Sequence, residues 1–405
     1  MLWREYMAFT DRHFGIIENI EKHIEQLLLS SDKQNFDIID NIEKHIEQIT
    51  PWLPSQAIVG IGKYPIQIIL NGSFIDNIGD VLPLFIDKSS VDIKNWSQSR
   101  LKPYNILGLD TKDDTFLWFH VYHNLIKNDM FITRLKNKPL DNVRQAIVVA
   151  SLGDGVGSSL FPVLCSQLRM LNINPVALAV LPSKVQPPDA HFNAFSSMGL
   201  SISTGFTPVL LIDRDSLENY VGVNRKGAKI EGNMLINYLL ELLLEKRTLG
   251  KEISEFSRSF NVNIFTALLT TGASFRIYGS IENMLNTALL KPLLKFDLSS
   301  VSILYVLLHI PSHLKIKLPR EKIELSIANW FKDKVNLKSI YFSDPIYIED
   351  TSDRIDVVMF VGGFDVTELF TSMEEKINSI KSEAINLGFI SEKEWQGIAE
   401  SLIKD

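Results

Sequence analysis

The chain has 405 residues, of which 45% are hydrophobic and 22% charged, a composition typical of soluble globular proteins with two or three domains. Its net charge of −7 argues against a strongly basic protein that binds nucleic acid directly. The single cysteine, Cys165, excludes a disulfide within the chain and fits a reducing compartment.

Membrane insertion and secretion are not expected from the sequence. The longest apolar runs, such as residues 301–308, are shorter than the roughly 18–20 residues that span a bilayer. Residues 1–10 lack the apolar stretch of a signal peptide. The expected location is therefore the cytoplasm.

The N-terminal region contains a repeat. FGIIENIEKHIEQ at residues 14–26 returns as FDIIDNIEKHIEQ at residues 36–48. Isoleucines at three- and four-residue spacings give each copy the apolar stripe of an amphipathic helix. We expect a helical hairpin, which either packs against the rest of the chain or serves in docking or self-association.

Short β-branched runs alternate with helical patterns from residue 56 onward. Strand, loop and helix in repetition indicate a doubly wound parallel sheet, whose ligands bind at the C-terminal ends of the strands. Buried strands are predicted at residues 56–61, 105–109, 145–150, 175–181 and 208–212, with a helix at 160–171.

A long apolar helix at residues 230–247 is expected to lie between two domains, because it is hydrophobic over most of its circumference. Further strands are predicted at 301–310, 339–342, 346–349 and 354–360, with a helix at 321–334. The predicted organisation is a helical hairpin at 1–52, a nucleotide-binding-type domain at 53–228, a core helix and loop at 229–256, a smaller C-terminal α/β domain at 257–366 and a helical tail at 367–405.

The most informative segment is SLGDGVGSS, residues 151–159, between a buried strand and a helix. Alternate glycines let the backbone turn tightly, and the helix adds its positive N-terminal end. This pattern favours a phosphate site, with a tight turn that binds no ligand as the alternative. The P-loop pattern GxxxxGK[ST] is absent, and Gly60-x-Gly62 lacks the third glycine of the dinucleotide fingerprint.

Residues 151–159 resemble the glycine signature GGGTG[ST]G of the tubulin/FtsZ superfamily. The resemblance continues at residues 180–185, 192–194 and 211–217, and at RIDVVMFVGGFD, residues 354–365. It implies an α/β fold with a parallel-sheet nucleotide domain, a long central helix and a smaller C-terminal α/β domain. It also implies binding of GTP or GDP with Mg²⁺, head-to-tail polymerisation into filaments, and a carboxylate loop that completes the hydrolytic site on a neighbouring subunit.

The resemblance also assigns contacts to single residues. The glycines would form the phosphate loop, the serines would offer hydroxyls, Asp110 would lie near the γ-phosphate or magnesium, and Asn237 would contact the guanine edge. For three of these residues an alternative role without a ligand stays open. Asp110 would form a strand-end turn, Asn237 would lie at a solvated helix position, and Lys63 would be a surface lysine. The predicted nucleotide-binding residues are Gly62, Lys63, Asp110, Gly153, Asp154, Gly155, Val156, Gly157, Ser158, Ser159, Asn193, Arg214 and Asn237.

Several of these positions depart from the family pattern. Asp154 replaces a glycine that should face phosphate, and its charge would repel a triphosphate unless a cation bridges them. Val156 lacks the hydroxyl of the loop threonine, and residues 63–65 replace the glycines of the first loop. Arg214 stands where the family has an asparagine that contacts the purine.

Counting from the core helix places the hydrolytic loop at residues 258–263, with Phe260 and Asn263 at the two carboxylate positions. Neither side chain can act as a general base, so no catalytic residue is retained in this register and GTP hydrolysis is predicted to be weak or absent. An active GTPase with a shifted register would use Glu252 or Glu255.

The sequence therefore predicts a divergent tubulin/FtsZ-like cytoskeletal protein that binds guanine nucleotide and self-associates or co-assembles with a related protein. A nucleotide-free pseudo-tubulin scaffold that recruits a partner through the N-terminal hairpin is the alternative. No metal site made of side chains is expected, because His120 and His123 lack a third ligand and fit a packed aromatic helix. Cys165 is expected in the core.

Overall fold

The computed structural model describes residues 54–72, 80–97, 101–102, 105–110, 115–127, 130–205, 207–332 and 334–403. The chain divides into two compact units, residues 1–53 and 54–405. The predicted helical hairpin and residues 404–405 of the predicted tail lie outside the described residues. No helix in the described ranges is long and apolar enough to cross a membrane.

Strands and helices alternate along most of the described chain. The strands are β1 Gln56–Ile61, β2 Val81–Asp87, β3 Ile106–Gly108, β4 Gln145–Ser151, β5 Asn174–Leu181, β6 Val209–Asp213, β7 Val221–Val223, β8 Lys229–Glu231, β9 Ile264–Ser274, β10 Ile303–Pro311, β11 Ser339–Phe342, β12 Ile346–Ile348 and β13 Arg354–Gly362. The helices are α1 Lys63–Leu70, α2 Ser90–Ser97, α3 Trp118–Lys127, α4 Met130–Lys136, α5 Gly155–Met170, α6 Pro188–Ser203, α7 Arg214–Glu218, α8 Asn233–Leu244, α9 Leu249–Phe260, α10 Phe275–Tyr278, α11 Ile281–Leu289, α12 Arg320–Lys332, α13 Thr367–Asn386 and α14 Glu392–Ile403.

One 11-stranded sheet runs through both predicted α/β regions, in the order β11-β10-β13-β9-β6-β5-β4-β1-β2-β3, with β12 beside β10. The strands from β3 to β9 in this order are parallel. The pairings of β13 with β9 and with β10 are antiparallel. The C-terminal region is thus an extension of the first sheet, joined to it where β6 pairs with β9 through Val209↔Ile264 and Leu210↔Phe265.

Side chains alternate between the two faces of the sheet, so each face is covered by its own layer of helices. Val59 and Ile61 of β1 lie in the cluster that includes α3 to α6 and α11 to α14. Ile58 lies in the other cluster, with α1, α2 and α7 to α9. Tyr305 and Phe360 of the C-terminal strands join this second cluster, so α8 and α9 pack against both halves of the sheet.

The parallel-sheet fold class is confirmed, and the predicted strands lie within a few residues of their expected bounds. Strands β2, β7, β8 and β9 were not predicted. The predicted core helix at 230–247 is wrong at both ends, because Lys229–Glu231 forms β8, Gly232 takes a φ of +50°, and α8 ends at Leu244.

The predicted position of the loop after the core helix is also wrong. That loop is residues 245–248, and α9 begins at Leu249. Phe260 is the last residue of α9, Asn261 ends the helix in the left-handed conformation, and Asn263 is buried just before β9. The argument that Phe260 and Asn263 replace loop carboxylates therefore has no structural basis.

Candidate functional site

The connections of the sheet change direction between β1 and β4. From β1 the chain continues to β2 and β3 on one side, whereas β4 leads to β5 and β6 on the other. Ligands of doubly wound sheets bind beside such a switch point, at the C-terminal ends of the strands. Here that edge is formed by Gly62, Asp87 and residues 152–154, and we call it the crevice.

Asp154 is the N-cap residue of α5, and its Oδ1 accepts a hydrogen bond from the backbone N–H of Gly157 at 2.6 Å. A methyl group placed on Gly62 would lie 3.2 Å from Asp154 Oδ2, and Gly62 has a φ of +80° that favours glycine. Burial of the carboxyl group raises the pKa of Asp154 to about 7, against the effect of the Gly157 and Val156 N–H groups. The residue as a whole is partly exposed.

Asp87 is a crevice residue that the sequence analysis missed. It is the last residue of β2, is 8% exposed, and accepts a hydrogen bond from the backbone N–H of Lys88 at 2.7 Å. Burial raises the pKa of Asp87, and its charge in turn raises the pKa of Asp154. The apolar run VLPLFID, which ends in aspartate, is a signal that could have found it, although proline is uncommon within a central strand.

Two of the three glycines of the loop are required by packing within the chain. A methyl group on Gly155 would lie 2.3 Å from the carbonyl oxygen of Thr115, and one on Gly157 would lie 2.1 Å from that of Ser151. At Gly153 the nearest atom would be 3.4 Å away, an ordinary contact. Close packing therefore explains Gly155 and Gly157, whether or not the loop binds phosphate, but it does not explain Gly153.

The predicted hydroxyl donors lie inside the protein. Ser158 and Ser159 are fully buried, and Val156 is also buried. The Ser159 hydroxyl donates to the carbonyl oxygen of Trp118 at 2.6 Å. Ser158 Oγ has no hydrogen-bond partner among the described residues. Neither serine presents its hydroxyl on the surface of the crevice.

Asn193 is likewise fully buried in α6. Its Oδ1 accepts from the Trp118 N–H at 2.8 Å, and its Nδ2 donates to the carbonyl oxygens of Phe116 and Gly153 at 3.0 and 3.3 Å. All its polar atoms are thus used within the chain. Asn193 fixes the loop before α3 to the glycine loop, and it supports the wall of the crevice.

A second polar group joins α1, the end of β6 and the start of α8. The guanidinium group of Arg214 lies 4.8 Å from the ring centroid of Tyr64, and its Nε donates to Glu218 at 2.9 Å. The Tyr64 hydroxyl donates to Asn233 Oδ1 at 2.6 Å. Burial raises the pKa of Tyr64, although Arg214 opposes this. An aromatic ring, a guanidinium and an amide together suit a planar heterocyclic ligand.

The remaining predicted contacts are engaged elsewhere. Lys63 Nζ lies 5.8 Å from the ring centroid of Trp96. Asn237 Nδ2 donates to the carbonyl oxygen of Ile68 at 3.0 Å, while its Oδ1 is buried and has no partner among the described residues. Asp110, with a φ of +51°, accepts from Arg134 at 3.2 Å and is separated from β1 by β2.

The loop after the core helix lies at the opposite edge of the sheet, where β1 and β4 begin. Gln56 Nε2 donates to the carbonyl oxygen of Leu244, and Gln145 Nε2 donates to that of Lys246, both at 3.0 Å. Gln145 Oε1 accepts from the Gly250 N–H at 2.9 Å. These bonds fix residues 245–248 to the N-terminal ends of the two strands that flank the crevice.

The carboxylates beside this loop have partners in the chain. Glu245 lies 2.9 Å from Arg225 and 3.1 Å from His309. Burial alone would raise the pKa of Glu245, but these two partners lower it. Glu252 accepts from Ser343 and Tyr305 at 2.7 and 2.9 Å. Burial alone would raise the pKa of Glu252. Hydrogen bonds outweigh burial and lower this pKa, and the bond from Thr248 contributes most among them.

No protein-family model matches the sequence, and no curated protein matches it. Solved structures do match. CetZ1 from Haloferax volcanii, a GDP-bound monomer, is 16% identical with a TM-score of 0.63 over 81% of this chain and 99% of its own. CetZ2 from Haloferax volcanii, a GTPγS-bound protofilament, is 18% identical, with a TM-score of 0.60 over 82% of this chain and 99% of its own. A GTPγS-form protofilament of TubZ from Bacillus thuringiensis serovar israelensis is 13% identical, with a TM-score of 0.54 over 86% of this chain and 97% of its own. These matches confirm the resemblance at the level of structure: the chain has the tubulin/FtsZ-like fold.

Proposed function

We propose that this protein is a cytoskeletal protein of the tubulin/FtsZ type, which binds a guanine nucleotide at the crevice and associates head to tail into filaments. The observation that carries the proposal is the position of the crevice and of loop 245–248 at opposite edges of one sheet, on a fold shared with nucleotide-bound and filament-forming proteins. The Arg214 and Tyr64 pair would then face the base.

Distance separates the two edges within one chain. β1 has six residues, which at roughly 3.3 Å per residue amount to about 20 Å. Loop 245–248, fixed to Gln56 and Gln145, therefore cannot reach the crevice of its own chain. It would reach the crevice of a second copy stacked along the strand direction, which is a head-to-tail arrangement.

Hydrolysis in such a filament would be weak, for a reason that differs from the one drawn from sequence. Glu245 and Glu252 are held by partners of their own chain. The charged side chain of the loop with the largest exposure is Arg247, which is 71% accessible although it also pairs with Asp80 at 2.9 Å. A cation cannot activate water as a general base. Faster turnover would need a carboxylate from a co-assembling relative, or Glu255, which is 63% exposed.

Magnesium would accompany a bound triphosphate. Within the described residues, no group of three or more His, Cys, Asp and Glu side chains could hold a metal ion. Its ligands would therefore be mainly phosphate oxygens and water, as is common for Mg²⁺ at nucleotides.

The first test is the nucleotide content of the purified full chain, released by denaturation and separated by anion exchange. Stoichiometric GDP or GTP supports the proposal. Lack of any nucleotide, together with no binding of added GTP and magnesium, contradicts it. Sedimentation with GTP then tests assembly, and replacement of Glu252 and Glu255 by glutamine tests residual turnover. Unchanged turnover would remove both glutamates as candidate bases.

Arg247→Glu separates assembly from binding. It places a negative charge opposite the acidic crevice of the next copy, so we expect sedimentation to be lost while nucleotide content stays unchanged. The matched control is Lys393→Glu, the same charge reversal on α14 at the flank of the sheet. Equal sedimentation of the two variants would contradict a contact through loop 245–248.

One observation favours a second candidate, a nucleotide-free scaffold. The Asp154 carboxylate already accepts the Gly157 N–H that a phosphate oxygen would take. If this bond persists under all conditions, the fold serves only for assembly or for recruiting a partner. Normal sedimentation without any nucleotide would identify this case.

A further inference from the structure

The N-terminus of α5 carries its own anion. Asp154 Oδ1 lies 2.6 Å from the nitrogen of Gly157, one of the first N–H groups of the helix. Helix N-termini bind phosphate through these same donors. A phosphate oxygen and the Asp154 carboxylate would therefore compete for one position.

The opposite wall of the crevice increases this competition. A methyl group placed on Gly62 would lie 3.2 and 3.3 Å from the two Asp154 oxygens, so this wall of the crevice stands directly beside the carboxyl group. The charge of Asp87, a second buried carboxylate, also raises the pKa of Asp154. Around Asp87 lie one further acid and two lysines, namely Asp92, Lys63 and Lys88. A dianionic ligand would meet two carboxylates in a poorly solvated place.

We propose that Asp154 is an internal competitor for the phosphate position, and that a nucleoside phosphate binds only when this carboxyl group is neutral, so that binding takes up a proton. This inference rests on the proposed nucleotide site and names its regulation. A neutral carboxyl group can donate its own hydrogen to a phosphate oxygen, whereas the ionised form can only repel it. The raised pKa of Asp154, about 7, places the change within the physiological range.

The test measures binding of GDP by calorimetry between pH 7 and pH 8.5, above the second pKa of a phosphate, which is about 6. Above the pKa of Asp154, the affinity of the unmodified protein is expected to fall roughly tenfold per pH unit. Runs in buffers of different ionisation enthalpy should give an uptake of about one proton per nucleotide. Affinity that is independent of pH would overturn the proposal.

Two variants and a control sharpen the test. Asp154→Asn keeps an oxygen for the Gly157 N–H but cannot ionise, so the pH dependence should disappear. Asp154→Gly also frees the N–H, and the affinity at pH 8 should rise at least tenfold. Asp297→Asn is the matched control, because Asp297 caps the 3-10 turn at Leu298–Ser300 in the C-terminal region. It should behave like the unmodified protein.

Inorganic pyrophosphate distinguishes this inference from the proposed function. If Asp154→Gly gains pyrophosphate binding but no protein binds GDP, the inference stands and the guanine-nucleotide proposal fails. If the unmodified protein binds GDP and Asp154→Gly binds neither GDP nor pyrophosphate more tightly, the inference fails alone. If neither ligand binds to any variant, both fail.

Discussion

The two edges of the parallel sheet differ in how they treat buried polar groups. At the N-terminal edge, Gln56 and Gln145 bond to each other and to the backbone of the loop after α8. At the crevice, burial raises the pKa values of Asp87 and Asp154, and the buried Ser158 Oγ beside the glycine loop has no partner among the described residues. One edge is built for stability, whereas the other retains unfavourable charge. Such local cost is typical of functional sites.

The largest effect on stability is expected at the N-terminal edge of the sheet. Gln145→Leu removes the partners of Gln56 Oε1, the Lys246 carbonyl and the Gly250 N–H, so we expect a loss of about 3 kcal/mol in the free energy of unfolding. Urea denaturation measures it. The double variant with Gln56→Leu should cost less than the sum of the two single variants, because the side chains are partners. Additive costs would contradict the network.

Asp154→Asn, at the crevice, should raise the free energy of unfolding instead of lowering it. The folded pKa of about 7 lies above the unfolded value of about 3.9, so the wild-type chain loses stability as the pH rises from about 4 to 7 and stays penalised above 7. The variant should gain about 2 kcal/mol at pH 8 and show no gain below pH 4. Denaturation at both pH values checks this, and equal stability at pH 8 would show that Asp154 is solvated.

Glu252→Gln, beside loop 245–248, should lower the free energy of unfolding by a smaller amount, and its pH dependence should be opposite to that of Asp154→Asn. The lowered pKa of Glu252 means that its contribution is present above the unfolded pKa, near 4.3, and is lost as the pH falls through the folded value. We expect the variant to lose about 1 kcal/mol at pH 7 and nothing at acid pH. Thermal denaturation across this range measures the difference. A loss that persists at low pH would indicate a packing role.

Asp110→Asn should have the smallest effect. Its ion pair with Arg134 is exposed, and such pairs contribute about 0–1 kcal/mol. Asparagine also accepts the left-handed backbone at this position. We expect a change below about 0.5 kcal/mol in unfolding and no change in nucleotide affinity. A large loss of affinity would restore Asp110 to the nucleotide site.

Local patterns predicted the parallel sheet because each buried strand ends in a recognisable loop, as at Gly62 and Asp154. They missed β2, and with it Asp87. The apolar run of this strand is interrupted by Pro83, and proline is uncommon within a central strand. They misplaced the loop after the core helix, because counting from Asn237 assumes a helix length. That length is set by tertiary contacts, namely the bonds of Gln56 and Gln145 to residues 244–250. The N-cap geometry of Asp154 required coordinates, although aspartate is common there.

The join between β6 and β9 has a consequence for folding cooperativity. After two residue pairs the strands separate, and Leu293 lies between them, accepting from the Asp213 N–H at 2.7 Å and donating to the Ala267 carbonyl at 3.4 Å. Because the ladder is short, the two halves are joined largely by helices, with α8 and α9 on one face and α13 and α14 packed against α6 on the other. Amide protons of the two halves should therefore exchange as separate foldons only once both helical layers loosen.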